Sequence, residues 1–231
     1  KLAAVLVTGP NAREIIQSLT ETDLSNEALP WLSSKSIKLD SANVQVIRVS
    51  YAGELGYELH MARYQITSIF ESLFRVGESL GLQHFGGYAF NSLRMEKGYR
   101  AWGSEFTEEI SGLEADMSRF IDLERDFIGK ENLEQRQIDG IQMKLAYLCF
   151  DDQIPAECFG NEAVYCEGEL AGLTTSGAFG HSVGYSLAFA YINPELVCEG
   201  TQLEILTAAG LRKAHVQMEP AYDPKNIRLR S

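Results

Sequence analysis

The feature that most constrains the fold is a change of pattern near residue 142 of this 231-residue chain. Beyond it lie short β-prone runs at residues 143–150, 163–166, 169–174, 185–192, 202–206 and 212–218, with turn residues between them. Short strands at this spacing predict a small antiparallel barrel or sandwich. Before residue 142, strand and helix patterns mix. The apolar run from Lys1 to Val7 leads straight into Thr8-Gly9-Pro10 and reads as a strand entered partway along. Thr8 or Asn11 can cap a helix over residues 11–19, with Ile15, Ile16 and Leu19 on its apolar face. A second short helix is expected over residues 23–32, then a strand pair within residues 36–50 and a further strand through Glu58-Leu59-His60-Met61. Ile66, Ile69, Phe70, Leu73, Phe74 and Val76 stripe a helix over residues 64–80 that Gly81 stops, and another helix covers residues 86–97. The first part is therefore α+β, and two domains are expected, 1–139 and 140–231.

Composition narrows the function classes. With 32 acidic against 20 basic side chains the net charge is −12, which disfavours nucleic acid and anionic membrane surfaces as partners. No apolar run approaches the roughly 20 residues of a transmembrane helix, and the early turn excludes a signal peptide. Cys149, Cys158, Cys166 and Cys198 form no CxxC pair and have no histidine at zinc spacing, so they read as reduced, packed thiols with no metal site. A dinucleotide fingerprint is missing as well.

Two clusters carry chemistry. In Tyr51-Ala52-Gly53-Glu54-Leu55-Gly56-Tyr57-Glu58, the glycines let the backbone aim Tyr51, Glu54 and Glu58 as a regular strand would not. A carboxylate there can accept two parallel N–H bonds from an aminopyrimidine-like ring, or the segment is a hairpin turn with solvated carboxylates. In Asn91-Ser92-Leu93-Arg94-Met95-Glu96-Lys97-Gly98-Tyr99-Arg100-Ala101-Trp102-Gly103, Arg94 can grip a carboxylate while Tyr99 and Trp102 can stack on a flat ring. The plainer alternative is an amphipathic helix in which Leu93 and Met95 pack and the charges are solvated. Gly98 ends that helix. The small, polar residues 172–177 lack the lysine of a phosphate loop and read as a turn between barrel strands. Ser176 and His181 lack a nucleophile elbow, and His60, His84 and His215 look isolated.

Taken in order with Phe127-Ile128-Gly129-Lys130, these segments resemble the aminomethyltransferase (glycine-cleavage T-protein) family. Gly9-Pro10-Asn11-Ala12-Arg13, Leu113-Glu114-Ala115 and residues 172–177 and 186–191 also fit. The Arg100-Ala101-Trp102-Gly103 ending is most similar to relatives at the C-terminus of dimethylglycine and sarcosine dehydrogenases or oxidases. The resemblance implies the remainder of a cloverleaf of α+β subdomains, N-terminally truncated, followed by a small antiparallel β-barrel. It implies tetrahydrofolate as acceptor of a one-carbon unit from an aminomethyl or iminium donor, giving methylenetetrahydrofolate. Tyr51 would flank the folate, Glu58 would hold the amino-pyrimidine edge, and Tyr99 and Trp102 would border the ring. Arg94 would meet the glutamyl tail or be structural. Phe90 and Asn91 stand where the family carries Arg-Asp.

The family's catalytic aspartate is expected upstream of Lys1, since Asp23, Asp40 and Asp116 do not match its place. No catalytic residue is therefore assigned, and these 231 residues alone are not expected to turn over. FAD belongs only to a presumed upstream flavin domain of the same polypeptide. The compartment implied is intracellular: cytoplasm in a bacterium, mitochondrial matrix in a eukaryote. Alternatives are a free-standing aminomethyltransferase served by a lipoyl carrier, a same-fold demethylase with a sulfonium donor, and a folate-binding protein of iron–sulfur maturation. In that last class a cysteine follows Lys-Gly, where this chain has Tyr99.

Overall fold

The computed structural model describes residues 1–155 and 158–231. These form two compact units, residues 1–93 with 223–231, and residues 94–222. The 139/140 division read from the sequence follows instead the onset of the strand-rich pattern, at the end of a helix.

In the first unit, strands β1 (Leu2–Thr8), β2 (Ser34–Leu39), β3 (Ala42–Ile47) and β4 (Gly56–Ala62) make an antiparallel sheet in the order β1-β4-β3-β2. Alternation puts Val7, Leu59, Met61, Val44, Val46, Ile37 and Leu39 on one face. They share a core with Ile15 and Ile16 of α1 (Ala12–Gln17) and Ile69 and Leu73 of α2 (Ile66–Gly77). Each such side chain contributes on the order of 1.5–3 kcal/mol by leaving water. The opposite face of β4 carries Glu58 and His60, which stay partly exposed. α2 runs on through a 3-10 turn to Gly81, which takes a left-handed φ of 78°.

The helix expected over residues 23–32 does not form. Asp23 instead accepts hydrogen bonds from the Ser25 backbone N–H at 2.8 Å and the Ser25 hydroxyl at 3.0 Å. Such local side-chain bonds compete with helix, and Leu32 has a left-handed φ of 62°. Beyond this segment, the buried Arg48 guanidinium donates to the carbonyls of Leu29, Arg230 and Ser231, each at 3.0 Å. The C-terminal residues are thereby fastened to this unit.

Helix α3 (Gly87–Glu96) contains the boundary between the units. Its end is a paired cap: Gly98 N–H reaches Met95 O and Tyr99 N–H reaches Arg94 O, both at 2.9 Å, with Gly98 at φ 65°. In the second unit α4 (Lys130–Asp139) follows Gly129.

Strands β5 (Lys144–Phe150), β6 (Ala163–Cys166), β7 (Glu169–Gly180), β8 (Tyr185–Ile192), β9 (Gln202–Thr207) and β10 (Gly210–Val216) then close a barrel in the order β10-β5-β8-β7-β6-β9. Closure leaves no free edge. Leu148, Phe150, Val164, Ile192 and Ile205 fill the interior. Tyr147, Cys149 and Phe189 pack with Met95 in a separate cluster, so β5 and β8 are buried on both faces and read as continuous apolar runs.

Residues 172–177 are not a turn. They lie inside β7, which bulges between Thr174 and Ser176. The glycines serve close approach: a Cβ on Gly172 would collide with the Tyr191 carbonyl, and one on Gly177 would lie 2.8 Å from the Leu187 carbonyl. The cysteines also depart in part from expectation. All four are free, but only Cys149 and Cys158 are buried; Cys198 is exposed. Among the described residues no helix is long and apolar enough to cross a membrane.

Candidate functional site

In the first unit the candidate site is built on the β3–β4 loop and the face of β4 opposite the core. Gly53 has a φ of 83°. Gly56 is needed for room, because a Cβ there would lie 2.7 Å from Ser50 Cβ. The loop is tied to β1 by Gly9 N–H donating to Leu55 O at 2.8 Å. It presents Tyr51, whose ring centroid lies 5.3 Å from that of Phe90. The loop's Glu54 meets Arg228 at 3.5 Å.

Glu58 differs. Its Oε2 lies 2.8 Å from His60 Nε2, with the two side chains 41% and 31% exposed. His60 is thus not isolated. Neither is His215, whose Nδ1 is 2.7 Å from Asp151, nor His84, which stacks 4.2 Å from the Phe74 ring.

In the second unit the charges at the end of α3 are buried, not solvated. Arg94 is 3% exposed. It donates to Glu105 Oε2 at 3.1 Å, Tyr99 O at 3.0 Å and Ser176 Oγ at 2.8 Å. Glu105, fully buried, also accepts from Thr175 Oγ1 at 2.6 Å, Ser176 Oγ at 2.5 Å and Ala101 N–H at 2.7 Å. Glu96 accepts from Ser182 N–H at 2.6 Å, and the buried Lys97 donates to Tyr222 O at 3.4 Å. Of the two roles open to Arg94, this saturation suits the structural one. Glu105 escaped the sequence reading and Ser176 was weighed there only as a nucleophile, because Arg94, the partner of both, is 11 and 82 positions away and no local motif marks the network.

The family model for the GCVT N-terminal domain matches residues 1–125, and that for the glycine cleavage T-protein C-terminal barrel domain matches residues 144–223. The chain belongs to the glycine cleavage T-protein family. It is 39% identical over 234 residues to mitochondrial dimethylglycine dehydrogenase of Rattus norvegicus, covering 99% of this chain and 27% of that protein. It is 31% identical over 240 residues to mitochondrial sarcosine dehydrogenase of Mus musculus, covering 99% and 26%. The chain thus spans about a quarter of the length of these relatives. The crystal structure of glycine cleavage system aminomethyltransferase T from Bartonella henselae superposes with a TM-score of 0.84 at 21% identity, covering 96% of this chain and 60% of that one. That likeness establishes the fold.

In this T-protein family chain the other motif residues lie in the second unit. Trp102 is 80% exposed, its ring 6.5 Å from Phe106, while Tyr99 is half-buried. Arg100 meets Asp116 at 3.2 Å, and burial lowers its pKa against the opposing pull of Asp116. The three aspartates that do not match the catalytic position serve local structure: Asp23 in its turn, Asp40 accepting from Ser72 Oγ at 2.7 Å, and Asp116 also meeting Lys144 at 3.2 Å.

Proposed function

We propose that this chain is the tetrahydrofolate-binding portion of an enzyme that transfers a one-carbon unit from a methylated-glycine-derived aminomethyl or iminium donor, forming methylenetetrahydrofolate. The observation that carries the reading is Glu58. It is a half-exposed carboxylate on the sheet face opposite the core, with Oε2 bonded to His60 and, among the described residues, no hydrogen bond to Oε1. A carboxylate of this kind fits the paired N–H donors of an aminopyrimidine. Tyr51, Tyr99 and Trp102 are assigned to the ring system by the family motifs. Arg94 is assigned to holding the loop after α3.

The dehydrogenase-type donor is favoured over a lipoyl-bound one by the Arg100-Ala101-Trp102-Gly103 ending, by Phe90 in place of the family arginine, and by the 39% identity to dimethylglycine dehydrogenase. The dehydrogenase names of those relatives, of which the chain spans about a quarter, support an oxidising flavin domain in the same polypeptide as the supplier of the donor. The mitochondrial relatives support a matrix location in a eukaryote. The test is titration with 5-formyltetrahydrofolate, a stable reduced folate, followed by calorimetry. Glu58→Ala should weaken binding roughly 10- to 100-fold, as expected for a hydrogen bond to a charged group. Unchanged affinity would remove Glu58 from the site.

A further inference from the structure

Glu58 and His60 are two residues apart on β4, so both point to the sheet face opposite the core that α1 and α2 cover. The four register positions beside them are Leu6 and Ile47 next to Glu58, and Ala4 and Gln45 next to His60. None carries a charge, and Gln45 already accepts a hydrogen bond from Ser36 Oγ. A carboxylate only accepts hydrogen bonds, so in this pair His60 Nε2 carries the proton and donates. A partly exposed glutamate otherwise samples several rotamers, and a ligand must freeze them on binding.

We infer that His60 is a positioning residue for Glu58: its Nε2–H pins Oε2 and so fixes the plane in which the carboxylate meets a flat ligand edge bearing two N–H donors. This rests on the proposed ligand contact of Glu58 and adds a residue to it. Oε1 and the remaining lone pair of Oε2 then face the ligand without further ordering. The pair selects donor–donor edges, because an acceptor edge would meet the same oxygens with repulsion. His60 itself makes no bond to the ligand and takes no part in chemistry.

The experiment compares binding of 5-formyltetrahydrofolate by the wild-type chain, H60F, H60Q, E58A and the double variant E58A/H60F. Freeing one side chain costs roughly three- to tenfold in affinity, so H60F should weaken binding by that factor. H60Q, whose amide nitrogen can donate from a similar place, should recover most of it. In the E58A background H60F should have no further effect. Unchanged binding by H60F, or an equal loss in both backgrounds, would overturn the inference. A carbon-13 signal from the Glu58 carboxylate, read without folate, should move in H60F and return in H60Q; an unmoved signal would also overturn it. Lack of binding by the wild-type chain would sink the folate reading, and the carbon-13 signal then decides the pair alone.

Discussion

Arg94 and Glu105 lie buried in the second unit, joined to each other and to Ser176, Thr175 and backbone groups. Glu58 and His60 lie half-exposed in the first unit, joined to each other. Both pairs come from segments that carry family motifs or follow them directly, and both combine an acid with a base. They differ in what is left over. A buried ion pair is tolerable only when its remaining hydrogen-bonding capacity is met from within the protein, and Glu105 meets that condition. A half-exposed carboxylate keeps acceptor capacity that water or a ligand can use. A motif charge is therefore assigned to structure or to binding by its burial and saturation, not by its presence in the motif.

The strongest way to break this contrast is Glu105→Ala. It would leave the Arg94 cation buried without its carboxylate, and a loss of about 3–5 kcal/mol is expected in urea unfolding. A loss below about 1 kcal/mol would mean that Arg94 is free to turn outward, and its assignment to structure would fall. Gly172→Ala comes next. Its methyl group would press on the Tyr191 backbone within the barrel wall, and about 1–3 kcal/mol should be lost. No change in thermal midpoint would show that β7 shifts easily.

Alkaline pH sharpens the comparison further. Burial pushes the Cys149 thiol up to about 11 and the Cys158 thiol up to about 12 from 9.0, while the first unit contains no cysteine. The unfolded chain loses these protons near pH 9 and the folded barrel holds them longer. Their contribution is therefore fully present below pH 9 and lost as pH climbs toward 12. The slope is up to about 1.4 kcal/mol per pH unit for each thiol. Hydrogen exchange between pH 9 and 11 should show the barrel strands opening before the first sheet; the reverse order would contradict the burial of the thiols. Smallest is the effect of Glu58→Ala on folding, expected within about 0.5 kcal/mol. A larger loss would make Glu58 structural and erase the difference between the pairs.

Much of the fold was legible because its signals are local. The β5 and β8 runs end within a residue of their expected limits, since their apolar and aromatic content is nearly continuous and bounded by turn residues. α2 and its Gly81 stop were equally plain. Residues 23–32 misled because their apolar spacing suits a helix while Asp23 and Ser25 close a turn instead. Residues 172–177 misled because glycine and serine mark turns and also mark tight strand contacts, and only the neighbouring strand tells which. Glu58 was named from its motif, but its partner His60 was read as isolated. Period-2 alternation places the two on one face, and their bond depends on side-chain rotamers that a sequence does not state.

Local signals in the sequence determined the family, the α+β beginning, the six barrel strands and the helix stops at Gly81 and Gly98. These follow from short-range periodicity, composition and linear motifs. Tertiary structure alone decided that Arg94 is saturated by Glu105 and Ser176, that Lys97 and Glu96 are buried, and that Glu58 stands half-open beside His60. Solvation and hydrogen-bond saturation are properties of what surrounds a side chain in space. For Arg94 that surrounding comes from residues as many as 82 positions away.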